Sequence, residues 1–490
     1  MMPMTVSQVA QAVSGAMVHC ADAGERTVTN VVTDSRQVTD GSLFVAIAGE
    51  HVDGHDFVAQ VGEHGAAAAL VDHEIEDAPI TQIVVPNTVE ALGALAAQNL
   101  RLRKQTNEPF TIVGITGSVG KTTTKDLLKN LLAVMGPTVA PIGSFNNEIG
   151  LPLTALEVEA GTRFLVAEMG ANHVGEIASL TKIAPPDIAV VLKVGVAHLG
   201  EFGSVERIAQ AKSEIVLGEA ANATTVLNAD DEHVAAMSQL AQGNVFWFGI
   251  DKAQAHDIDG YIAADNITLD DLGRPTFTLV SSQGMEQRLT LGISGKHNVM
   301  NALAAASVAN LLGMSLEQIA QVLGDVRAIS PHRMAVSTVS NGKEHFTLID
   351  DSFNANPDSM KAGINGLMAW HAQEERQPFR VAVLGAMLEL GPDERALHES
   401  VGAYAVQSGV DALIAVGGGT DETLNALARD IAVGADGVAG TDIVRAVSTI
   451  DEADALIREL NAEHPDLLVL LKGSHASGLS ALASRWTAGQ

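Results

Sequence analysis

The chain has 490 residues, 47% of them hydrophobic and 3% aromatic, and it carries a formal net charge of −30. This length predicts about three domains, and the composition is typical of an α/β protein and excludes a disordered chain. The acidic charge excludes nucleic acid as a partner, because no basic surface is available to neutralise a phosphate backbone. The single cysteine, Cys20, excludes a disulfide framework and predicts a reducing compartment.

The N-terminal residues lack the basic and apolar segments of a secretory signal peptide. Apolar runs such as 188–192 are much shorter than the roughly 18 residues that a membrane span requires. We therefore expect a cytoplasmic protein without stable membrane insertion. We also expect a monomer.

Short strands and small helices alternate over residues 1–106, which we predict to be the first domain. The predicted helices are 4–13, 56–64 and 89–100, and the predicted strands are 28–33, 42–48 and 67–71. The polar turn Thr33-Asp34-Ser35-Arg36 either binds a phosphate through Arg36 and the Ser35 hydroxyl or is an Asx-turn with a solvated arginine. The polar segment 101–109 marks the end of this domain.

The most informative stretch is 111–124, where a β-branched strand leads into a glycine turn and then an amphipathic helix. Glycines let backbone N–H groups point at one anion, and the helix N-terminus adds unpaired donors and a partial positive charge. We expect Lys121 to reach the β- and γ-phosphates of ATP and the Thr122 hydroxyl to bind Mg²⁺. Ile115 stands where the general P-loop has glycine, which indicates a particular branch of P-loop ATPases. The residues expected around the phosphates are Gly117, Ser118, Val119, Gly120, Lys121, Thr122 and Thr123.

Residues 107–328 follow a βα pattern that predicts a second domain with a mainly parallel sheet. The predicted strand 164–167 ends at Glu168, and the strand 188–194 leads to His198. Since ligands bind at the carboxyl ends of parallel strands, Glu168 is a candidate Mg²⁺ ligand, with a solvated loop acid as the alternative. His198 is either a structural histidine or a ligand. Further predictions are a helix from 205 that contains Lys212, a strand at 225–228 and antiparallel strands within 244–293.

An alanine-rich helix is predicted at 299–312, with Asn298 and Asn301 on one side of its start. Their amides suit a ribose or a base edge. Capping of the helix by Asn298 is an equally good explanation, and the two roles can coexist. A further helix is predicted at 316–323.

The remaining residues, 329–490, again alternate strands and helices, which predicts a doubly wound, Rossmann-like third domain. Pro331 interrupts the preceding helical segment and marks the boundary. Polar motifs follow the strands, at Asp350–Asp358, Gly385–Gly391 and Lys472–His475. The predicted strands are 346–349, 381–384, 412–416 and 467–471.

In combination these motifs resemble the Mur ligases, which are ATP-dependent amide-forming enzymes of peptidoglycan precursor synthesis. The residues that carry the resemblance are Thr116-Gly-Ser-Val-Gly-Lys-Thr122, Glu168, His198, Lys212, Gly295-Lys-His-Asn298, Pro331-His-Arg333 and Asp351. Closer markers are the segments 33–36, 43–49, 53–57, 146–154, 197–203, 350–357 and 384–391. They are similar to the family members that add D-alanyl-D-alanine to UDP-N-acetylmuramoyl-tripeptide. Phe353 stands where relatives often have tyrosine, and 416–421 lacks the Asp-Asn-Pro-Arg motif of the members that add diaminopimelate.

The resemblance implies that ATP converts the tripeptide carboxylate to an acyl phosphate, which the dipeptide amine attacks through a tetrahedral intermediate. It implies that Thr122 and Glu168 hold one Mg²⁺ and that His198 helps to hold a second, which a carbamate on Lys212 supports. The alternative for Lys212 is an ordinary surface lysine. The residues implied in catalysis are Lys121, His198, Lys212 and Arg333.

The resemblance also implies roles for the domains around the ATP site. Arg333 and Asp351 of the third domain are expected at the γ-phosphate and the ribose, and Asn298 and Asn301 at the adenosine. The first domain is expected to bind the UDP-sugar, and the third to bind the dipeptide and close on ATP. The residues assigned to the UDP-substrate are Ser35, Arg36 and Asn147, and those assigned to the peptide are Asn356, Lys472 and Ser474.

Two other functions compete with this interpretation. One is a ligase of the same superfamily that adds another amino acid or extends folate with glutamate; the Asp-Ser-Arg turn disfavours folate, since it is expected for UDP-sugar substrates. The other is a nucleotide-binding regulator without chemistry, which would not need the residues of a second metal site. The identity of the third tripeptide residue, meso-diaminopimelate or lysine, stays open.

Overall fold

The structure is a computed structural model, and it describes residues 1–18, 23–49, 52–195, 199–250, 260–327, 329–341, 344–371, 377–441 and 443–488. Three larger sheets follow one another along these parts of the chain, with five, nine and six strands. Helices accompany each sheet, so the predicted three-part α/β fold is confirmed. Among the helices in the described ranges, none combines the length and apolar character that crossing a bilayer demands.

The first sheet has the strand order β2-β7-β6-β5-β4, and β1 and β3 form a separate antiparallel pair. The strands are β1 (Met4–Thr5), β2 (Ala16–Val18), β3 (Thr27–Val28), β4 (Asn30–Val32), β5 (Ser42–Val45), β6 (Ala68–Val71) and β7 (Gln82–Val84), and the helices are α1 (Val6–Ala12), α2 (Val58–Glu63) and α3 (Thr88–Lys104). The predicted strand 28–33 is therefore two strands in different sheets, because Val28 pairs with Met4 whereas Val31 pairs with Leu43. The three-residue strands β2 and β7 are too short to show a period in the sequence.

Helix α3 extends past its predicted end at Leu100 into the polar segment. Its polar side chains face the next part of the chain and are buried there. Asn99 Nδ2 donates to the carbonyls of Ala155 and Val158, both at 2.9 Å, and Arg103 Nε donates to Thr162 O at 2.9 Å. These hydrogen bonds satisfy the buried polar groups and stabilise the end of α3, which its polar composition alone would suggest to be a linker.

The second sheet has the order β16-β15-β14-β13-β12-β11-β8-β10-β9. Its strands are β8 (Thr111–Thr116), β9 (Thr138–Val139), β10 (Phe164–Glu168), β11 (Ile188–Val191), β12 (Thr224–Asn228), β13 (Asn244–Gly249), β14 (Tyr261–Leu269), β15 (Pro275–Ser281) and β16 (Glu286–Thr290). Its helices are α4 (Lys121–Met135), α5 (Gly150–Leu156), α6 (Glu176–Ile183), α7 (Leu199–Phe202), α8 (Val205–Leu217), α9 (Glu232–Ala236), α10 (Asn298–Leu311) and α11 (Leu316–Asp325).

Strand pairing in this sheet is parallel from β9 to β14 and antiparallel only for β14–β15 and β15–β16. The prediction of antiparallel strands within 244–293 is thus wrong for β13, which pairs in parallel with both of its neighbours. Alternating polar and apolar residues report that a strand has one buried face, but not the direction of its neighbour.

Central strand β8 is buried on both faces. Ile112 belongs to an apolar cluster on one side of the sheet, whereas Val113 and Ile115 belong to the cluster on the other side. Alternation along the strand sends successive side chains to opposite layers. The end of β8, where the predicted phosphate-binding turn begins, is therefore held by packing from both sides.

The third sheet has the order β17-β18-β22-β19-β20-β21, parallel except for the edge pair β17–β18. Its strands are β17 (Ala335–Asn341), β18 (Glu344–Asp350), β19 (Phe379–Gly385), β20 (Ala412–Val416), β21 (Val444–Val447) and β22 (Leu467–Lys472), and its helices are α12 (Pro357–Ala369), α13 (Glu394–Ser408), α14 (Glu422–Asp436), α15 (Ile450–Glu463) and α16 (Leu479–Thr487). The predicted doubly wound order is confirmed. The edge strands β17 and β21 were not predicted, because edge strands bury little apolar surface and their residues show no strong pattern.

Candidate active site

The turn between β8 and α4 has the geometry of a phosphate cradle. Gly120 has φ +84°, and a Cβ there would lie 2.3 Å from Asn301 Oδ1. Ser118 N donates to Lys193 O at 2.8 Å, and Ser118 Oγ accepts from Gly195 N at 3.0 Å, so the turn is anchored to the end of β11. A side chain at Gly120 is excluded both by the left-handed backbone and by the lack of space.

Lys121 begins helix α4 and folds back over this turn. Its Nζ donates to Gly117 O at 2.8 Å. Burial lowers the pKa of the Lys121 ammonium, and the nearby Arg333 lowers it further, while Glu168 raises it. A partly desolvated cation with a neutral carbonyl as its hydrogen-bond partner is well placed to be stabilised by an anion.

Glu168 ends β10, next to β8, and only 1% of its surface is exposed. Oε1 accepts from Asn146 Nδ2 at 2.8 Å and from Thr122 Oγ1 at 3.3 Å. Oε2 is buried and has no hydrogen-bond partner among the described residues. An unpaired oxygen of a buried carboxylate is costly, and a hydroxyl and a carboxylate are oxygen ligands that suit Mg²⁺. The donor set fits that ion, and the alternative of a solvated loop acid is wrong.

A cavity of about 440 Å³ lies between the second and third domains. It brings together most of the residues that the sequence predicted around ATP. Those lining it are Ser118, Val119, Gly120, Lys121, Thr122, Thr123, Glu168, Asn298, Asn301, Arg333 and Asp351. Asn356 and Lys472, which were predicted at the peptide, line it as well. Asn146 and His297 also line it, although the sequence analysis assigned them no role.

Arg333 enters this cavity from the segment between α11 and β17. Its Nη2 donates to Thr122 Oγ1 at 3.4 Å, and the guanidinium carbon lies 4.4 Å from the centroid of the Phe353 ring. Burial lowers the pKa of Arg333, while Asp351, Glu168 and Asp126 raise it. The contact with Phe353 uses the ring face, so the missing tyrosine hydroxyl leaves this contact intact.

Asp351 is fixed by contacts within the third domain. Its Oδ2 pairs with Lys472 Nζ at 2.6 Å, and its Oδ1 accepts from Met334 N at 3.3 Å. Lys472 also donates to Asn354 O at 3.1 Å. Lys472, predicted at the peptide, thus lies beside the residue predicted at the ribose.

Asn298 and Asn301 line the cavity as a linked pair. Asn301 Nδ2 donates to Asn298 Oδ1 at 2.8 Å, and Asn298 Nδ2 donates to Ser294 O at 2.7 Å. The capping alternative is not observed, because α10 starts at Asn298 itself and the capping position is His297.

Lys212 lies behind the cavity wall in α8, with 2% of its surface exposed. Its Nζ donates to Ala171 O at 3.5 Å and lies 5.7 Å from the centroid of the Phe202 ring. Burial, and secondarily the charge of Lys121, lowers the pKa of Lys212 to about 7. The alternative of a surface lysine is wrong, since a charged surface side chain would be solvated. His198, which was predicted beside it, lies outside the described residues.

The residues predicted at the UDP-substrate lie outside the cavity. Arg36 is 88% exposed in its side chain and pairs with Asp34, at 2.7 Å between Nη2 and Oδ2. Asp34 Oδ1 also accepts from Arg36 N at 3.0 Å, so the turn that contains Ser35 is the Asx-turn alternative. This contact lowers the pKa of Asp34 to about 2. Asn147 Oδ1 accepts from Gly150 N at 2.9 Å, at the start of α5.

Two residues predicted at the peptide have structural contacts of their own. Asn356 caps α12, with Oδ1 accepting from Ser359 N at 2.9 Å, and it also lines the cavity. Ser474 lies outside the cavity lining, and its N donates to Ala386 O at 3.0 Å. Its Oγ is buried and has no hydrogen-bond partner within the part of the chain that the structure describes.

Family models match the chain in three places. Residues 27–100 match the Mur ligase family catalytic domain, residues 115–309 the Mur ligase middle domain, and residues 332–475 the Mur ligase glutamate ligase domain. This chain belongs to the Mur ligase family. The resemblance found in the sequence is therefore confirmed.

Individual relatives of this Mur ligase match over nearly all of its length. The UDP-N-acetylmuramoyl-tripeptide–D-alanyl-D-alanine ligase of Mycobacterium tuberculosis is 40% identical, covering 99% of this chain and 97% of its own. The ligase of that name from Escherichia coli is 33% identical over 85% and 86% of the two chains. Among solved structures, MurF of Acinetobacter baumannii has a TM-score of 0.83 at 33% identity, covering 99% and 98%. MurF of Thermotoga maritima in complex with ADP has a TM-score of 0.75 at 28% identity, covering 94% and 97%.

In this Mur ligase the third domain rests on the second at a contact between two backbones. Gly200 N, in α7, donates to Glu389 O at 3.1 Å. A Cβ on Gly200 would lie 2.5 Å from Gly391 N, so only a residue without a side chain permits this approach. Lys193 and Asp358 add an ion pair at 3.6 Å across the same interface. Lys193 and Asp358 also line the cavity, so this ion pair joins the two domains at its wall.

We expect Gly200→Ala to lower kcat by about 10²-fold, because an added Cβ holds the domains apart and displaces Arg333 by more than the geometry of transfer tolerates. The free energy of unfolding should rise by at most about 1 kcal/mol, since alanine is favoured over glycine within a helix. Steady-state kinetics and thermal unfolding measure the two effects. Gly161→Ala is the control, because nothing lies within 4 Å of a Cβ at Gly161. An unchanged kcat would show that the glycine contact does not govern closure.

Proposed function

We propose that this Mur ligase joins D-alanyl-D-alanine to UDP-N-acetylmuramoyl-tripeptide at the expense of ATP, in the synthesis of a peptidoglycan precursor. The observation that carries the proposal is the convergence of three groups in one cavity: the phosphate-binding turn, the buried Glu168 with its unpaired oxygen, and Arg333 from the third domain. A relative named for this activity and a solved structure of MurF match over nearly the full chain.

A carboxylate is a poor electrophile, which is the chemical reason for an ATP site. One oxygen of the tripeptide carboxylate attacks the γ-phosphorus, ADP leaves, and an acyl phosphate forms. The free amine of D-alanyl-D-alanine then attacks the carbonyl carbon and loses a proton, and the tetrahedral intermediate expels inorganic phosphate to leave the amide. The overall products are the extended peptide, ADP and phosphate.

Phosphoryl transfer needs positioning and charge neutralisation more than covalent help from the protein. Lys121 supplies a cation at the phosphate turn, and Arg333 supplies a second one from the opposite side of the cavity. We assign them to the β/γ-phosphates and to the γ-phosphate, respectively. Because the third domain brings Arg333, closure of the domains both completes the site and keeps water from the acyl phosphate.

Thr122 and Glu168 are the residues that would hold Mg²⁺, as their donor atoms and the unpaired Oε2 indicate. The ion would neutralise phosphate charge as the transfer proceeds. His198 is assigned to a second ion by the family resemblance alone.

Lys212 is proposed to carry a carbamate. With a pKa lowered to about 7, a substantial fraction of its amine is neutral near neutral pH. The neutral nitrogen can attack the carbon of CO₂ and release a proton, which converts a buried cation into an anion. An anion at this place, near Lys121, supports the binding of a second metal ion.

The remaining assignments concern the substrates. Asn298 and Asn301 are proposed at the adenosine and Asp351 at the ribose, while Ser35, Arg36 and Asn147 are proposed at the uridine diphosphate. For Arg36 this requires exchanging Asp34 for a phosphate, which is feasible because a solvent-exposed ion pair is weak. Asn356, Lys472 and Ser474 are proposed at the peptide or dipeptide. We also propose that the enzyme works as a monomer in the cytoplasm, where ATP is available.

Omission of single substrates tests the function. We expect phosphate release from ATP to require both the UDP-linked tripeptide and D-alanyl-D-alanine, because the acyl phosphate forms on one and is consumed by the other. Tripeptides ending in meso-diaminopimelate and in lysine are compared in the same assay. Release with glutamate as the amine would favour another ligase of the superfamily, and nucleotide binding without any turnover would favour a regulator.

A further inference from the structure

One turn after Thr122, helix α4 presents a buried ion pair that the mechanism above does not use. Lys125 is 1% exposed and Asp126 is 8% exposed, and 2.6 Å separates Lys125 Nζ from Asp126 Oδ1. Removing two charges from water is costly, and a buried pair is a poor source of stability. Its position behind the phosphate turn therefore calls for an explanation other than stability.

The pair reaches two segments that flank the helix. Lys125 Nζ also donates to Pro141 O at 2.9 Å and to Ser330 Oγ at 3.3 Å. Asp126 Oδ2 accepts from Ser330 N at 2.8 Å. All three protons of the ammonium thus have acceptors, and both carboxylate oxygens have donors.

Each of these segments carries a side chain of the active site. Pro141 begins the loop that contains Asn146, and Asn146 Nδ2 donates to Glu168 Oε1 at 2.8 Å. Ser330 lies three residues before Arg333, whose Nη2 donates to Thr122 Oγ1 at 3.4 Å. Thr122 and Asp126 are four residues apart on one face of α4. The helix therefore contacts Arg333 at one turn and the start of its segment at the next.

The backbone on both sides of Arg333 has an unfavourable conformation, which contacts with its surroundings must stabilise. His332 has φ +61° and Met334 has φ +50°, a region that side-chain-bearing residues rarely adopt. On the far side His332 Nδ1 bonds to Asp350 Oδ2 at 2.7 Å, which ties the segment to β18. On the near side the contact with Asp126 ties it to α4. Arg333 therefore lies in a segment that is held by α4 through Ser330 and by β18 through His332.

We propose that Asp126, charge-balanced by Lys125, is a positioning residue for phosphoryl transfer: it holds the Ser330 backbone against the P-loop helix and thereby fixes Arg333 over Thr122. The inference rests on the proposed assignment of Arg333 to the γ-phosphate. Asp126 touches no reacting atom in this account and acts through Arg333 alone.

The test removes the carboxylate that accepts from Ser330 N, and it removes Lys125 as well so that no unpaired charge stays buried. Lys125→Met combined with Asp126→Leu replaces the pair by apolar side chains of similar size, which proteins often tolerate. Lys125→Met combined with Asp126→Asn keeps one oxygen for Ser330 N and is the matched variant. Lys129→Met, on the exposed face of α4 one turn later, is the control that should leave kcat unchanged.

We expect the Lys125→Met, Asp126→Leu enzyme (the Met–Leu variant) to lose about 10- to 100-fold in kcat, because Arg333 is no longer held in position. The Kd for ATP should change by less than about threefold, because the residues that bind the nucleotide are kept. The Met–Asn variant should retain more of the kcat. In an Arg333→Ala background the Met–Leu and Met–Asn variants, which both lack the Lys125 bond to Pro141 O, should differ in kcat by less than about threefold, since residues that act through one another are not additive. Hydrogen exchange of the segment 329–334 should become faster in the Met–Leu variant, which is a readout independent of turnover.

A difference in kcat between the Met–Leu and Met–Asn variants that is as large in the Arg333→Ala background as with Arg333 present, or unchanged exchange of 329–334, would overturn the positioning role. Wild-type turnover in the substrate-omission assay is measured separately. A failure of the proposed function appears there, whereas a failure of the present inference appears only in the double-mutant comparison and in hydrogen exchange.

Discussion

Replacing Lys121 by alanine is expected to lower kcat by about 10³-fold, on the scale seen when a cation at a transferring phosphoryl group is removed. Lys121 begins α4 at the phosphate turn, and its hydrogen bond to Gly117 O keeps the ammonium over the site where phosphate is proposed to bind. Since burial already lowers the pKa of this ammonium, its loss should not destabilise the protein without nucleotide. Initial rates of phosphate release and thermal unfolding of the nucleotide-free protein measure the two effects.

The control for this experiment is Lys129→Ala, which removes an exposed lysine from the same helix. This variant also replaces a lysine of α4 by alanine, but away from the phosphate turn, so it should leave kcat unaltered. A Lys121→Ala enzyme with kcat within a few-fold of the wild type would contradict the assignment of the glycine turn as the ATP phosphate site.

Lys212→Ala is expected to lower kcat by about 10²-fold or more, and a short-chain carboxylic acid should restore part of it by replacing the lost anion. The side chain is buried behind the cavity wall and does not line it, so direct contact with substrate is not the reason. Lys182→Ala, an exposed lysine on α6, is the control. An unchanged kcat, leaving nothing for an acid to restore, would contradict the carbamate.

The same lysine predicts a dependence on pH and CO₂. The lowered pKa, about 7, means that the amine is mostly protonated below pH 7 and mostly neutral above it. Only the neutral amine reacts with CO₂, so bicarbonate should activate CO₂-depleted enzyme above pH 7 and fail to do so well below it. Activation that is equal on both sides of pH 7 would argue for another role.

The parts of the site that the sequence predicted are local in the chain. The phosphate turn is a contiguous strand–turn–helix segment, and Glu168 directly follows a short apolar strand, so their places in the chain suffice to predict both. Burial, by contrast, depends on the tertiary structure. From the residue types alone, Glu168 and Lys212 could each have been a solvated surface residue. Their burial in the folded protein excludes that alternative.

The parts that the sequence missed depend on partners far apart in the chain. Asn146 lies 22 residues from Glu168, and Lys472 lies 121 residues from Asp351, yet each pair is in direct contact. Nothing in the spacing of these residues indicates which side chain meets which carboxylate. The same holds for β13, whose parallel partners are set by sheet topology rather than by its own pattern of residues.

The contact between Gly200 and Gly391 has a consequence for inhibition. Because two bare backbones meet there, the gap admits no additional atoms once the domains have come together. A small molecule that binds between them would hold the domains apart, and it would need no resemblance to a nucleotide because it would not occupy the ATP site.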